Sequence, residues 1–237
     1  MRVWDIQPGY LNRQSLLGEH REIHALVSII ENDKSGYAHH PETLRWKPHI
    51  HALKLRHGQI VTEMTLRGYH HDSPVGESAL GSWPDVYLDA PGAQFAILRQ
   101  RYRDREAGRI RLPETVNQLW AQHRYSVLAR DPNSARQVEL QLGQGPKALP
   151  FGSLAADLVT WLRQPPDMER LLRTLSQMRR EGSDAQPIAG DERSDAASML
   201  TDIARMGQSS RAVLQSTALS DFAFWLGETG PGEGRRQ

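Results

Sequence analysis

Ser15-Leu-Leu-Gly-Glu-His-Arg-Glu-Ile-His-Ala-Leu-Val-Ser-Ile-Ile-Glu-Asn32 carries a helical period and no strand-like alternation. Leu16, Leu17, Ile23, Leu26, Val27 and Ile30 recur at the spacing that places side chains on one face of an α-helix. Ser15 offers a hydroxyl N-cap, Glu19 and Glu22 fall in the turns that follow, and Asp33-Lys-Ser-Gly36 supplies the break. The stretch is an amphipathic helix that must bury its apolar stripe against other helices.

The rest of the chain repeats this pattern. Before the helix, Arg2 to Tyr10 reads as a short extended segment and turn. After it, Gly36 to Pro41 is a loop, and Pro41 opens a short helix to Trp46. Pro48 opens a long helix with Ile50, Leu53, His57, Ile60, Val61 and Met64 on its inner stripe and Gly68 as its stop. Residues 69–90 are turn-rich and acidic. A further helix is expected from Gly92 to Ala107, apolar at Phe95, Ile97 and Leu98. Leu112-Pro113 reads as a boundary, followed by helices at about 114–130, 133–142, 153–163, 167–180, 194–206 and 210–227. Trp120, Trp161 and Trp225 fall on their stripes and read as core. The expected fold is all-α: a compact helical domain over 1–113, a second helical domain over 114–227 and a disordered tail over 228–237.

The chain of 237 residues contains no cysteine, which excludes a disulfide scaffold and thiolate chemistry. Asp5, Pro8 and Arg13 interrupt any signal-peptide core, and no run approaches the roughly 20 apolar residues that span a bilayer. A soluble, cytoplasmic, monomeric protein without a membrane partner is expected. Net charge is only +1, but the charge is uneven. Residues 99–113 hold six arginines against two acids, whereas 68–98 hold four acids and no Lys or Arg. A local basic face can therefore exist without an extreme overall charge.

An α-amine titrates near 8, against about 10.4 for lysine, so it is the amine most readily unprotonated near neutral pH. An amine beside a carboxylate and arginines is suited to Schiff-base chemistry on the sugar of a polyanion. Met1 and Arg2, with the Arg21-Glu22 pair, supply those types. The pair reads equally as a solvated surface pair, and the Arg99–Arg111 cluster as a solvated face or a phosphate contact. Nine of the ten histidines precede residue 72. His20 and His24 stand at i,i+4 on one helix with Glu63 available, which leaves a divalent-metal hydrolase open. His49-X-His51 does not share a helical face, and no HExxH motif occurs.

Three blocks carry a family resemblance. They are Met1-Arg2-Val3 with Leu11; Leu17-Gly-Glu19-His-Arg21-Glu22-Ile23; and Leu53-Lys-Leu-Arg56-His-Gly-Gln-Ile60-Val-Thr-Glu63-Met-Thr-Leu-Arg67-Gly68-Tyr69. Gly36-Tyr37, His40-Pro41 and Arg45-Trp46 add to them, and Gln94 to Gly108 follows more loosely. Residues 1–113 so resemble the pyrimidine-dimer DNA glycosylases of the phage endonuclease V type. Leu119 to Pro132 weakly resembles an uncharacterised bacterial helical domain, which implies no activity.

The resemblance implies a compact helical domain whose amino terminus lies against the first helix, acting on damaged double-stranded DNA. It implies Met1 as the amine nucleophile and Glu22 as the catalytic carboxylate. Arg2 and Arg21 match its phosphate contacts, and Arg45, Arg56, Arg99 and Arg101 are further DNA-binding candidates. Neither a metal nor another cofactor is expected. Two positions depart from the family: its next helical arginine falls on Ala25, and one of its histidines on Ser15. A non-enzymatic nucleic-acid-binding or interaction protein on the same fold is the alternative, and the histidine-based metal-dependent hydrolase the third.

Overall fold

A computed structural model describes residues 1–76, 79–145, 148–182, 196–206 and 211–229. It is all-α, with no strand among the described residues. In chain order the helices are α1 (Arg13–Glu31), α2 (Pro41–Trp46), α3 (Ile50–Leu66), α4 (Pro91–Arg101), α5 (Val116–Leu128), α6 (Pro132–Gly143), α7 (Phe151–Leu162), α8 (Met168–Gly182), α9 (Ala196–Met206), α10 (Arg211–Leu214) and α11 (Ala218–Thr229). The tail expected over 228–237 lies outside the described residues from 230 onward, as do residues 183–195.

α1 forms as its periodicity predicts, burying Leu16, Ile23, Leu26 and Val27. Its cap is Asn12 rather than Ser15: the Asn12 side chain accepts from the Ser15 N–H at 2.9 Å. Asn12 is extended and is itself held by the far end of α4. Its N–H donates to the Tyr102 hydroxyl (3.0 Å) and its Nδ2 to the Glu106 carbonyl (3.3 Å). That same hydroxyl marks where α4 stops, at Arg101 instead of the expected Ala107, because Tyr102 turns inward as C-cap. α3 begins at Ile50, after a 3₁₀ turn at Lys47–His49, and ends at Leu66, with Gly68 as the expected stop just beyond it. Gly68 has φ +79°, and the Tyr69 N–H returns to the Met64 carbonyl at 3.0 Å. This left-handed helix stop is one that glycine accepts without strain.

The helix expected over 210–227 is two helices. Thr217 interrupts it because its polar groups are spent on α5: the Thr217 N–H and hydroxyl both reach the Gln122 carbonyl, at 2.9 and 3.0 Å. Helices on both sides of Pro113 share one apolar core running from Val3 to Leu162. α4 and α7 approach so closely that a Cβ on Gly92 would sit 2.9 Å from the Gly152 Cα. α3 meets α11 where a Cβ on Gly58 would sit 2.6 Å from the Phe224 ring. A second cluster, built on Leu171, Leu175, Met178 and Phe222, packs α8, α9 and α11 beside α5. No helix among the described residues is long and apolar enough to cross a membrane.

Candidate active site

Residues 1–7 form no regular element, so their backbone N–H groups need partners from elsewhere. Buried side chains on three helices supply them. The Val3 N–H donates to Glu42 of α2 (2.9 Å), the Trp4 N–H to Glu19 of α1 (3.2 Å) and the Asp5 N–H to Gln94 of α4 (2.9 Å). Each acceptor is held in turn. Glu19 receives both arms of Arg56, at 2.8 and 3.2 Å. Glu42 receives Arg45 Nη1 and the Trp46 indole N–H, each at 3.1 Å. Gln94 Nε2 donates to Asp5 Oδ2 at 2.8 Å, and Asp5 also pairs with Arg45 and with Arg163 Nη2 at 2.9 Å. Burial pushes the Glu19 carboxyl above the usual carboxylate range even with Arg56 beside it.

This anchoring sets Met1 and Arg2 at the wall of a cleft of about 560 Å³. The opposite wall comes from α1: Ser15, Gly18, Glu19 and Glu22 line it, and their spacing puts them on one helical face. Arg101, Tyr102 and Arg105 close it from the end of α4. Gly18 has open space over its Cα, so the floor there is clear.

The positive charge in the cleft is only partly neutralised. The Arg2 guanidinium lies 4.4 Å over the Trp4 ring, and Arg101 lies 5.5 Å from the same ring. Partial burial, then repulsion from Arg101, lowers the Arg2 pKa from the usual arginine value. Arg2 pairs with Asp89, and Arg105 donates to Gln14 at 2.6 Å. Two guanidiniums beside one aromatic ring repel each other, and an anion held by both relieves that repulsion.

Of the residues singled out in the sequence, Met1, Arg2, Glu22 and Arg101 line this one cleft. Arg21 does not; it is exposed and donates to the Leu17 carbonyl at 3.2 Å. Arg45 and Arg56 lie inside the fold with side chains only 4% and 3% exposed, committed to Asp5, Glu42 and Glu19. Arg99 donates to the Pro113 carbonyl at 3.0 Å and lies over Phe151. The sequence reading missed Glu42 and Gln94 as anchors of the amino terminus and Arg105 as a cleft residue. An irregular segment with buried Val3, Trp4 and Ile6 was the available signal that such acceptors must exist.

The histidines divide. His40 Nδ1 accepts the Glu42 N–H and caps α2 (3.1 Å), and His49 Nδ1 contacts Ser82. His20, His24, His57 and His71 converge away from the cleft, each with one ring nitrogen within 4.8 Å of the others. Burial, reinforced by the neighbouring imidazoles, lowers the pKa of His20 to about 4 and of His57 to about 3. Glu63 is not among them. It is fully buried and bridged by Arg67 (2.8 Å) and by both arms of Arg109 (2.9 and 2.8 Å).

No curated protein and no solved structure matches the chain. The family match stops inside the loop after α3, short of Arg101, Tyr102 and Arg105: residues 1–76, which hold Met1, Arg2, Glu19 and Glu22, match the family model of the pyrimidine dimer DNA glycosylases, a DNA-repair glycosylase family.

Proposed function

We propose that this protein is a DNA glycosylase with abasic-site lyase activity that uses the Met1 α-amine as nucleophile. One observation carries the proposal: Met1, Arg2, Glu22 and Arg101, which lie up to 100 positions apart in sequence, line one cleft. The unprotonated amine attacks C1′ of the damaged nucleotide, displaces the base and leaves an imine on the ring-opened sugar. The imine acidifies the C2′ proton, and its removal expels the 3′ phosphate by β-elimination. Glu22 stabilises the cationic sugar and iminium and relays protons. Arg2 and Arg101 hold flanking phosphates on either side of Trp4. The reacting sugar is out of reach inside a stacked duplex, so the nucleotide is extruded and the DNA bent.

The test is borohydride trapping of untagged protein, its Met1 amino terminus verified by mass spectrometry, on an abasic-site duplex and a dimer-containing duplex. A covalent adduct mapped to the Met1 nitrogen is expected, and the duplex that traps sets the lesion. Glu22→Gln should lower turnover by about 10²-fold or more with duplex affinity largely kept. Absence of an adduct overturns the assignment in favour of a DNA-binding module without chemistry, and near-wild-type turnover in Glu22→Gln overturns the role given to Glu22.

A further inference from the structure

We propose that His20, His24, His57 and His71 bind one divalent transition-metal ion of the zinc type, cross-linking α1, α3 and the loop that follows α3. The site shares no residue with the cleft and does not depend on the glycosylase reading. On α1, His20 and His24 lie on the far side of the apolar stripe from Glu19 and Glu22, at about 100° per residue.

Three observations point to a cation. First, the spacing fits. A tetrahedral site with metal–nitrogen bonds of about 2.0–2.1 Å sets its ligand nitrogens about 3.3 Å apart. His24 Nε2 lies 3.2 Å from His20 Nε2 and 3.1 Å from His57 Nε2. All four donor nitrogens already lie within 4.8 Å of one another. Second, the hydrogen-bond inventory does not close with protons alone. A neutral imidazole carries one N–H and one lone pair, so His24 Nε2 can make a single good bond although two nitrogens approach it. Third, His71 Nε2 is buried without a hydrogen-bond partner, which is unfavourable for a polar atom. A cation at the centre accepts a lone pair from each ring and settles all four at once.

The ligand set narrows the ion. Four imidazoles without a carboxylate suit zinc, copper or nickel and do not suit magnesium or calcium. Four protein ligands fill a tetrahedral shell and leave no position for a reacting water, so the site is structural. His20 and His24 at i,i+4 supply a preformed half-site, His57 comes from the facing helix α3, and His71 comes from the loop beyond Gly68. Metal binding therefore fastens the start of the segment that carries Asp89 onto the helix that carries Glu22.

The test uses the full chain without a polyhistidine tag, stripped with chelator and titrated with Co²⁺ and then Zn²⁺. One equivalent of Co²⁺ should bind and give the intense visible absorption of tetrahedral cobalt, which Zn²⁺ then abolishes. His24→Gln, half-buried and on the helix surface, should weaken binding by at least about 100-fold. The exposed neighbour variant His70→Gln should bind as the wild type does. A chain that binds no cobalt, that gives only the weak spectrum of an octahedral ion, or that binds equally well as His24→Gln overturns the proposal. If His24→Gln proves unfolded by circular dichroism, the stoichiometry and spectrum of the wild type decide alone.

Discussion

Removing Glu42 should disturb both the fold and the proposed reaction, because it anchors the segment that carries Met1. Its side chain is fully buried, and Oε1 accepts from the Val3 N–H, the Trp46 indole and Arg45. In Glu42→Ala, Arg45 keeps Asp5 and the Val86 carbonyl and is not stranded. The Val3 and Trp46 donors are stranded, each at about 1–3 kcal/mol, and a charge-assisted bond to Arg45 is lost. The expected destabilisation is about 3–5 kcal/mol, a large share of the roughly 5–15 kcal/mol that holds a domain together. Glu42→Gln keeps an oxygen in the same place and loses only the charge, so it should cost about 1–2 kcal/mol. Urea unfolding followed by tryptophan fluorescence measures both. In the same variants the Met1 trapping rate should fall by about 10²-fold for Ala, because Val3 anchors the proposed nucleophile two residues away and small misplacements are expensive in rate. A Glu42→Ala loss below about 1 kcal/mol, or equal losses for Ala and Gln, would refute this account of the anchor.

Further perturbations separate the remaining ideas. Asp89→Asn releases Arg2 from its partly exposed ion pair and should tighten binding to an abasic-site duplex by about 2–5-fold, the scale of such a pair; unchanged or weaker binding in a mobility-shift titration would show that Arg2 does not reach phosphate. His123 is fully enclosed, and burial lowers its pKa to about 4. An unfolded chain protonates the same imidazole near 6.5, so stability is complete above that pH and falls as the pH drops toward 4, by about 2–3 kcal/mol at pH 4.5. His123→Gln should flatten that part of the urea-stability profile, and an unchanged slope would place the acid sensitivity in other groups.

What the sequence disclosed was local. α1 and α3 were legible because apolar period and breaker lie within a few residues of each other, down to Gly68 as the stop of α3. The cap of α1 was not, since Ser15 and Asn12 are both good caps and the choice rests on Tyr102 and Glu106, some 90 positions away. The stop of α4 was hidden for the same reason: the arginines past residue 101 favour helix, and Tyr102 leaves it for a tertiary partner. Met1, Arg2 and Glu22 were singled out by residue type and then by a resemblance, and Arg101 by an arginine-rich charge pattern; none of these signals showed that they share one cleft. Arg45 and Arg56 were read as DNA-binding candidates, since arginine is seldom buried unless paired and no partner stood out in the sequence. Their partners Asp5, Glu42 and Glu19 become neighbours only in the fold. His20 and His24 were readable as a pair, but the arrival of His57 and His71 depends on helix packing and a loop path.

The anchoring of residues 3–5 has a consequence for the order of events during synthesis. Asp5 is held by Arg163, 158 positions downstream, and by Gln94, 89 positions downstream. Contacts of such long range close late, because chain entropy must be spent before they form. Asp5 is thus a residue whose surroundings are completed late. A growing chain carries Met1 and Arg2 without a fixed place. Only the finished molecule sets them on the cleft that Glu22 also lines.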